Sequence, residues 1–390
     1  MTRGRYTFFA LSALVVVPIL AGSLVGAAQN EAKPGQDSLY KYLSVFTEAL
    51  SLVRQAYVEE SDPNALFAGA LDGITDALDP FSVYVPAAAV ASYEEARRVS
   101  TSRSGLAVLR ERGLDYVLQV DPGSPAAAAG IERGDLLAEI QGRSTRLMPL
   151  WELEQLLAGA AGTEIKVRLV RFAETIDASF TLGSFPRPRT SLTERGEVSI
   201  LHLPTFDGET VAEVRTALEK VGQRGSRHLL IDLRGVHAGD AAAAYAVAGL
   251  FADGELGRLT GRAGTIETFQ GGTPLWTGRI VVLADRSSLG PAEILAAVLR
   301  QRAGAELVGD RTFGHAGRQT GVELSTGARL YLTDAFYSGP DFVALESPLK
   351  PDLVAEAATG DDEAKDAPDA VLEKGLERLL APPAESKKAA

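Results

Sequence analysis

The chain contains no cysteine, which rules out disulfides, thiolate metal ligands, a cysteine nucleophile and a lipidated N-terminal cysteine. Histidine is scarce too. His202, His228, His237 and His315 are the whole supply, and no two of them stand at metal-ligand spacing, so a zinc centre is not expected. No other metal or cofactor is implied. Positive charge is also in short supply: the formal net charge is −12 and no cluster of Lys and Arg marks a helix face. Nucleic-acid binding rests on cationic neutralisation of phosphates, so nucleic acid is not an expected partner.

What is present is enough apolar residue, 46% of 390, to bury the cores of two or three domains. At the N-terminus Arg3 and Arg5 precede "YTFFALSALVVVPILAGSLVGAA", uncharged from Tyr6 to Ala28. That run exceeds the roughly 7–15 apolar residues of a signal peptide and approaches the ~20 that span a bilayer. Small residues at Gly26, Ala27 and Ala28 would still permit cleavage. Residues 1–28 are therefore read either as an uncleaved membrane anchor, with residues 6–28 in the bilayer, or as a cleaved signal peptide. In both cases the positive flank stays in the cytoplasm and the remainder is exported.

Residues 29–38 form a polar linker, and 39–99 a helical N-terminal module. Leu39, Leu43, Phe46, Leu50 and Val53 recur at helical spacing. Asp62-Pro63 offers an N-cap and a proline at the first helical position of a second helix, and Asp79-Pro80 closes it. From about residue 100 to 185 the period changes to an α+β module. "GLAVLRERGLDYVLQV" reads as two strands around Arg112-Gly113. "DPGSPAAAAGIERGDLLAEIQG" packs turn, short helix, turn and strand together. The helix "PLWELEQLLAGA" buries Leu150, Leu153, Leu157 and Ala160, and "EIKVRLV" alternates as a strand.

Residues 186–355 alternate strands with helices: "VSILHLP", "ETVAEVRTALEKVGQ", "HLLIDLR", "AAAAYAVAGLFA", "RIVVLAD", "PAEILAAVLRQR", "AELVGD". That order predicts an α/β core with a mainly parallel sheet. Residues 356–390 comprise an acidic linker, one amphipathic helix near 368–380 and a polar tail.

Taken in order, "YVEESDP", "LDPFSVY", "GSPAAAAGIERGD", "LLIDLR", "AEI" and "VGDRTFGHAGRQT" resemble the C-terminal (tail-specific) processing peptidases. These are exported serine peptidases with an inserted PDZ domain. The likeness covers about residues 36–380. It implies an α/β plus α+β chain: helical module, PDZ domain at 100–185 and peptidase-like core at 186–355, behind the export or anchor segment. It also implies that the PDZ domain takes a partner's C-terminal tail as an added strand and holds its carboxylate on backbone N–H groups. The matching residues are Ser104, Gly105, Leu106, Ala107 and Val108, with Ser104 where the family has a glycine.

The resemblance places a serine nucleophile three residues ahead of Glu293, at Gly290. It places a lysine base at His315, in "TFGH", and a supporting glutamine at Gln319. In the oxyanion loop, Asp232-Leu233-Arg234-Gly235-Val236-His237-Ala238-Gly239 has Ala238 for the first of two paired glycines. A positive φ at that glycine would make Ala238 costly. Both reacting groups are absent, and glycine has nothing to replace the nucleophile. The expectation is a catalytically inactive homologue, extracytoplasmic and anchored to the inner membrane, that binds protein C-termini as scaffold or regulator. A second copy of itself or an active relative is the natural companion. Two alternatives stand beside it: a serine endopeptidase using Ser288 with His315, and a structural envelope protein whose PDZ groove is closed.

Overall fold

The computed structural model describes residues 36–98, 103–355 and 368–382. The expected anchor or signal, residues 1–28, lies outside them, as does most of the 29–38 linker. Among the described residues no helix is long and apolar enough to cross a membrane. Contacts divide the chain into two units, up to Ala70 and from Leu71 onward.

The first unit holds α1 (Gln36–Ala56) and the start of α2 (Pro63–Asp76). The Asp62 side chain accepts the Asn64 N–H at 2.9 Å, as the Asp-Pro signal predicts. The α1 stripe forms as a helix face, yet Leu43, Phe46 and Val53 remain exposed.

In the second unit, β1 (Val83–Val85) and α3 (Val90–Arg98) follow α2. The sequence pattern groups this stretch with the N-terminal helices, but β1 pairs with β16 (Arg329–Tyr337) near the chain's end. The next module is an antiparallel sheet of β2 (Leu106–Glu111), β3 (Leu114–Val120), β4 (Leu136–Ile140), β6 (Glu164–Arg171) and β7 (Glu174–Thr181). The short β5 (Arg143–Ser144) pairs beside β4. Helices α4 (Pro125–Ala128) and α5 (Leu150–Leu157) complete it. Leu150, Leu153 and Leu157 are buried on α5 as expected. Ala160 is not: the helix stops at its Ala158 cap and Ala160 is exposed.

The core is a sheet ordered β17-β14-β13-β10-β9-β8, parallel throughout except for the β8–β9 pair. Its strands are β8 (Ser191–Arg195), β9 (Val198–His202), β10 (His228–Asp232), β13 (Arg279–Ala284), β14 (Glu306–Gly309) and β17 (Leu353–Val354). Both faces are covered, as a parallel sheet requires. Leu229, Ile231, Ile280 and Val282 pack under α6 (Thr210–Arg224), α7 (Ala241–Ala248) and α8 (Pro291–Arg302). Leu230, Val281 and Leu283 pack under α9 (Ala370–Leu380). A Cβ on Gly375 would stand 2.7 Å from the Leu283 side chain, which would have to move aside for any larger residue. A further sheet, β1-β16-β11-β12 with β15 (Gly317–Glu323) beside β16, flanks the core. The strand–helix alternation did not reveal β11 (Glu255–Gly261) or β12 (Gly264–Gln270).

Candidate active site

Two loops meet at the carboxyl ends of the neighbouring parallel strands β10 and β13, where open α/β sheets bind their ligands. The first is Leu233–Gly239 after β10; the second is Asp285–Gly290, leading from β13 into α8. They are stitched together by Leu289 N–H donating to the Val236 carbonyl at 2.8 Å. Arg234 fixes the first loop from outside. It makes paired bonds to Asp232 at 2.7 and 2.9 Å and to Asp369, the N-cap of α9, at 2.8 and 2.9 Å.

Gly290 sits at the apex of the second turn with φ 55° and ψ −103°. An L-residue there is strained, by about 1–3 kcal/mol. The geometry is that of a sharp strand-to-helix turn that projects a nucleophile. A Cβ built on Gly290 meets nothing nearer than the His315 carbonyl at 4.0 Å. The seat is kept and vacant.

The groups around it are committed elsewhere. Glu293 is fully buried and its carboxylate accepts four bonds. Oε2 takes Gly290 N–H and His315 N–H, each at 3.0 Å, and Oε1 takes Thr312 Oγ1 at 2.5 Å and Gly314 N–H at 2.6 Å. It thereby ties the helix start to the loop carrying "TFGH". The residue after the nucleophile seat is Pro291, which has no N–H. So neither position 290 nor 291 presents a donor to an oxyanion. The missing donor is visible in the sequence itself, as the proline of "SSLGPAEI".

His315 is half-buried and stacks on Phe81, with ring centroids 4.5 Å apart, and edge-on against Phe336 at 5.3 Å. Its Nε2 lies 3.4 Å from Thr333 Oγ1. Burial lowers the imidazole pKa below its usual value, with Asp79 opposing. Gln319 does not bond His315. Its amide donates to the Phe81 carbonyl, and its oxygen lies 3.5 Å from Arg97 Nη2. Ser288 is 1% exposed. Its hydroxyl donates to the Leu233 carbonyl at 2.9 Å and accepts Asp285 N–H at 3.0 Å. Ser287 Oγ bonds the Asp285 carboxylate at 2.9 Å. Both serines hold the turn.

Ala238 needs correcting. It has no positive φ; that conformation falls on Gly235 (φ 78°) and Gly239 (φ 140°). A Cβ on Gly239 would come within 2.7 Å of the Phe206 carbonyl. The essential glycine of the pair is therefore the one retained, and Ala238 costs no backbone strain. Between the loops a cleft of about 360 Å³ is lined by Gly239, Asp240, Gly290, Pro291, Ile294 and Tyr337 among others.

In the PDZ-like module, β2 is an edge strand and Leu106, Ala107 and Val108 lie on it. Gly105 has φ 74°, and a Cβ there would collide with the Ser124 side chain at 2.0 Å. Ser104 is fully buried, and its hydroxyl accepts the Leu106 N–H at 3.2 Å. The module touches the turn before α8 through Arg133, which pairs with Asp285.

Family models match three parts of the chain: Peptidase family S41 at residues 197–355, PDZ domain at 116–171, and Activating protease CtpB N-terminal domain at 21–89. A carboxy-terminal-processing protease from Bartonella bacilliformis is 26% identical over 348 residues, covering 86% of this chain and 80% of its own. The carboxy-terminal processing protease CtpA of Bacillus subtilis is 28% identical over 355 residues, covering 88% and 74%. The solved photosystem II D1 C-terminal processing protease superposes with a TM-score of 0.65 at 24% identity, over 82% of this chain and 95% of that one. The last likeness concerns the fold.

Proposed function

This chain belongs to the C-terminal processing peptidase family with a PDZ domain, and from that premise we propose that it binds protein C-termini without cutting them. It does so outside the cytoplasm, held by residues 6–28 or released by their cleavage, as a scaffold or as regulator of an active relative. The observation that carries this reading is the turn at Gly290, a nucleophile seat with no nucleophile. Removing a serine peptidase's nucleophile costs roughly 10⁶ in kcat. One oxyanion donor fewer costs about 10²–10³ more, and Pro291 cannot donate. The alternative that uses Ser288 with His315 finds no support here, since the Ser288 hydroxyl is buried and satisfied. The test is incubation of the exported part, Gln29 onward, with an unstructured substrate such as casein. No fragments are expected. Turnover abolished by Ser288→Ala would overturn the proposal.

The PDZ half is tested separately. Edge strand β2 supplies the main chain for strand addition. The full exported chain should bind a peptide ending in a free apolar residue more tightly than its C-terminally amidated twin, with affinity near the micromolar range, about −8 kcal/mol. One observation favours the structural envelope reading instead: the Leu106 N–H is already met by Ser104. If that bond does not open for a carboxylate, the two peptides bind equally.

A further inference from the structure

We infer that the emptied cleft is a binding site for a basic side chain, lysine or arginine, presented by an internal stretch of a bound protein. The inference rests on the non-hydrolytic reading of the same cleft, since a side chain held there must stay uncut.

Three observations carry it. The first is shape: with no side chain at Gly290 the cavity keeps its full depth, about 360 Å³ walled by Pro291, Ile294, Ala316 and the Tyr337 ring. Such walls suit a long aliphatic stem, which lysine and arginine lay along apolar surface while their heads stay polar.

The second is charge. Asp240 is the one ionisable carboxylate in the lining. One of its oxygens caps α7, accepting Ala242 N–H at 2.8 Å. Among the described residues the other has no hydrogen-bond partner, and Asp240 makes no ion pair. Capping therefore occupies one oxygen of this lining carboxylate and leaves the other without a bond among the described residues.

The third is the surrounding field. Burial first raises the Tyr337 hydroxyl's pKa; Arg318 opposes, and Asp240, Glu267 and Asp334 add to the rise. The field of Asp240 and Glu267 thus reaches a wall of the cleft. Arg318 is spent on a two-pronged pair with Asp334 at 2.6 and 3.0 Å. Glu267, on β12, has no such partner among the described residues. Asp240 and Glu267 are both exposed, so their field reaches the cleft through water and favours a cation there without being concentrated by burial. An exposed acid at the rim of an apolar-walled cleft favours a cationic side chain over an isosteric neutral one and disfavours an acidic one.

The experiment uses the full exported chain and fluorescent pentapeptides blocked at both ends, so that no carboxylate is offered to the PDZ loop. The central residue is lysine, norleucine or glutamate, in otherwise alanine peptides, and binding is read by anisotropy at low salt. Lysine should bind roughly 3-fold tighter than norleucine, the scale of an exposed ion pair, with glutamate weakest. Asp240→Asn should erase the difference. Asparagine caps helices as well as aspartate does, so the fold is spared; Asp240→Ser, another good cap, serves as the second variant. Equal binding of lysine and norleucine peptides would overturn the inference, as would a lysine preference that survives both variants. Mass spectrometry of the same mixtures separates the two proposals. Peptide fragments would sink the non-hydrolytic reading and this inference with it, whereas intact peptides that bind equally would sink the inference alone.

Discussion

Helices α4 and α8 both begin at a proline, behind Ser124 and Gly290, and they are secured by different groups. At α4 the serine satisfies its own helix: Ser124 Oγ accepts the Ala127 N–H at 3.2 Å. At α8 the corresponding side chain does not exist. The work passes to Glu293, whose buried carboxylate holds Gly290 N–H together with Thr312, Gly314 and His315. A serine at 290 would add strain and contribute nothing to the fold. Glycine suits this turn, because the bonds that hold it come from Glu293 and not from residue 290.

The sharpest way to break that comparison is Glu293→Ala. It would leave four donors without an acceptor in a buried place, at about 1–3 kcal/mol for each that finds no water. We expect a loss on the order of 4 kcal/mol or failure to fold, read from the urea midpoint. Selective proteolysis should appear first in the loop from Arg311 to Arg318. A loss below about 1 kcal/mol would mean that the turn is held by something other than this carboxylate.

A smaller effect is expected of restoring the serine. Gly290→Ser has room for its side chain but must adopt φ 55°, ψ −103°, a cost of about 1–3 kcal/mol. It should not restore hydrolysis, alone or with His315→Lys. Adding Pro291→Ala returns an N–H beside the seat, and activity should then rise by about 10²–10³ over the double variant. Full activity of Gly290→Ser with His315→Lys would show that Pro291 was never the obstacle.

Much of this was open to reading in the sequence. The Asp-Pro helix start, the hairpin at Arg112-Gly113 and the apolar strand "HLLIDLR" are local patterns, and each formed as its neighbours dictate. What was hidden is non-local. The pairing of β1 with β16 joins residues far apart in sequence, and no periodicity within either strand announces its partner. The cost assigned to Ala238 failed for the same reason. Which of two adjacent glycines needs a positive φ depends on Phe206, brought alongside Gly239 by the parallel bridge between them. The packing of Phe81 and Phe336 against the His315 ring is non-local in the same way.

That ring supplies the finest test of the contrast between a group kept for chemistry and one kept for packing. A catalytic base is useful when it can take up a proton near neutrality. His315 is held so that protonation is disfavoured: burial lowers its pKa from the ordinary value of 6.5, and Asp79 only partly offsets this. A histidine with a depressed native pKa binds fewer protons folded than unfolded just below pH 6.5. Its contribution to stability is therefore fully present above that pH and is lost as pH falls through the lowered native value. His315→Phe keeps an aromatic ring between Phe81 and Phe336 and removes the titration, while His202, His228 and His237 stay common to both proteins. Urea midpoints between roughly pH 7.5 and 5 should show the wild type losing stability relative to His315→Phe as acid is added. A difference that stays flat would mean that the imidazole meets water freely. The ring would then be poised as a base, and the cleft would need to be reconsidered as a reactive one.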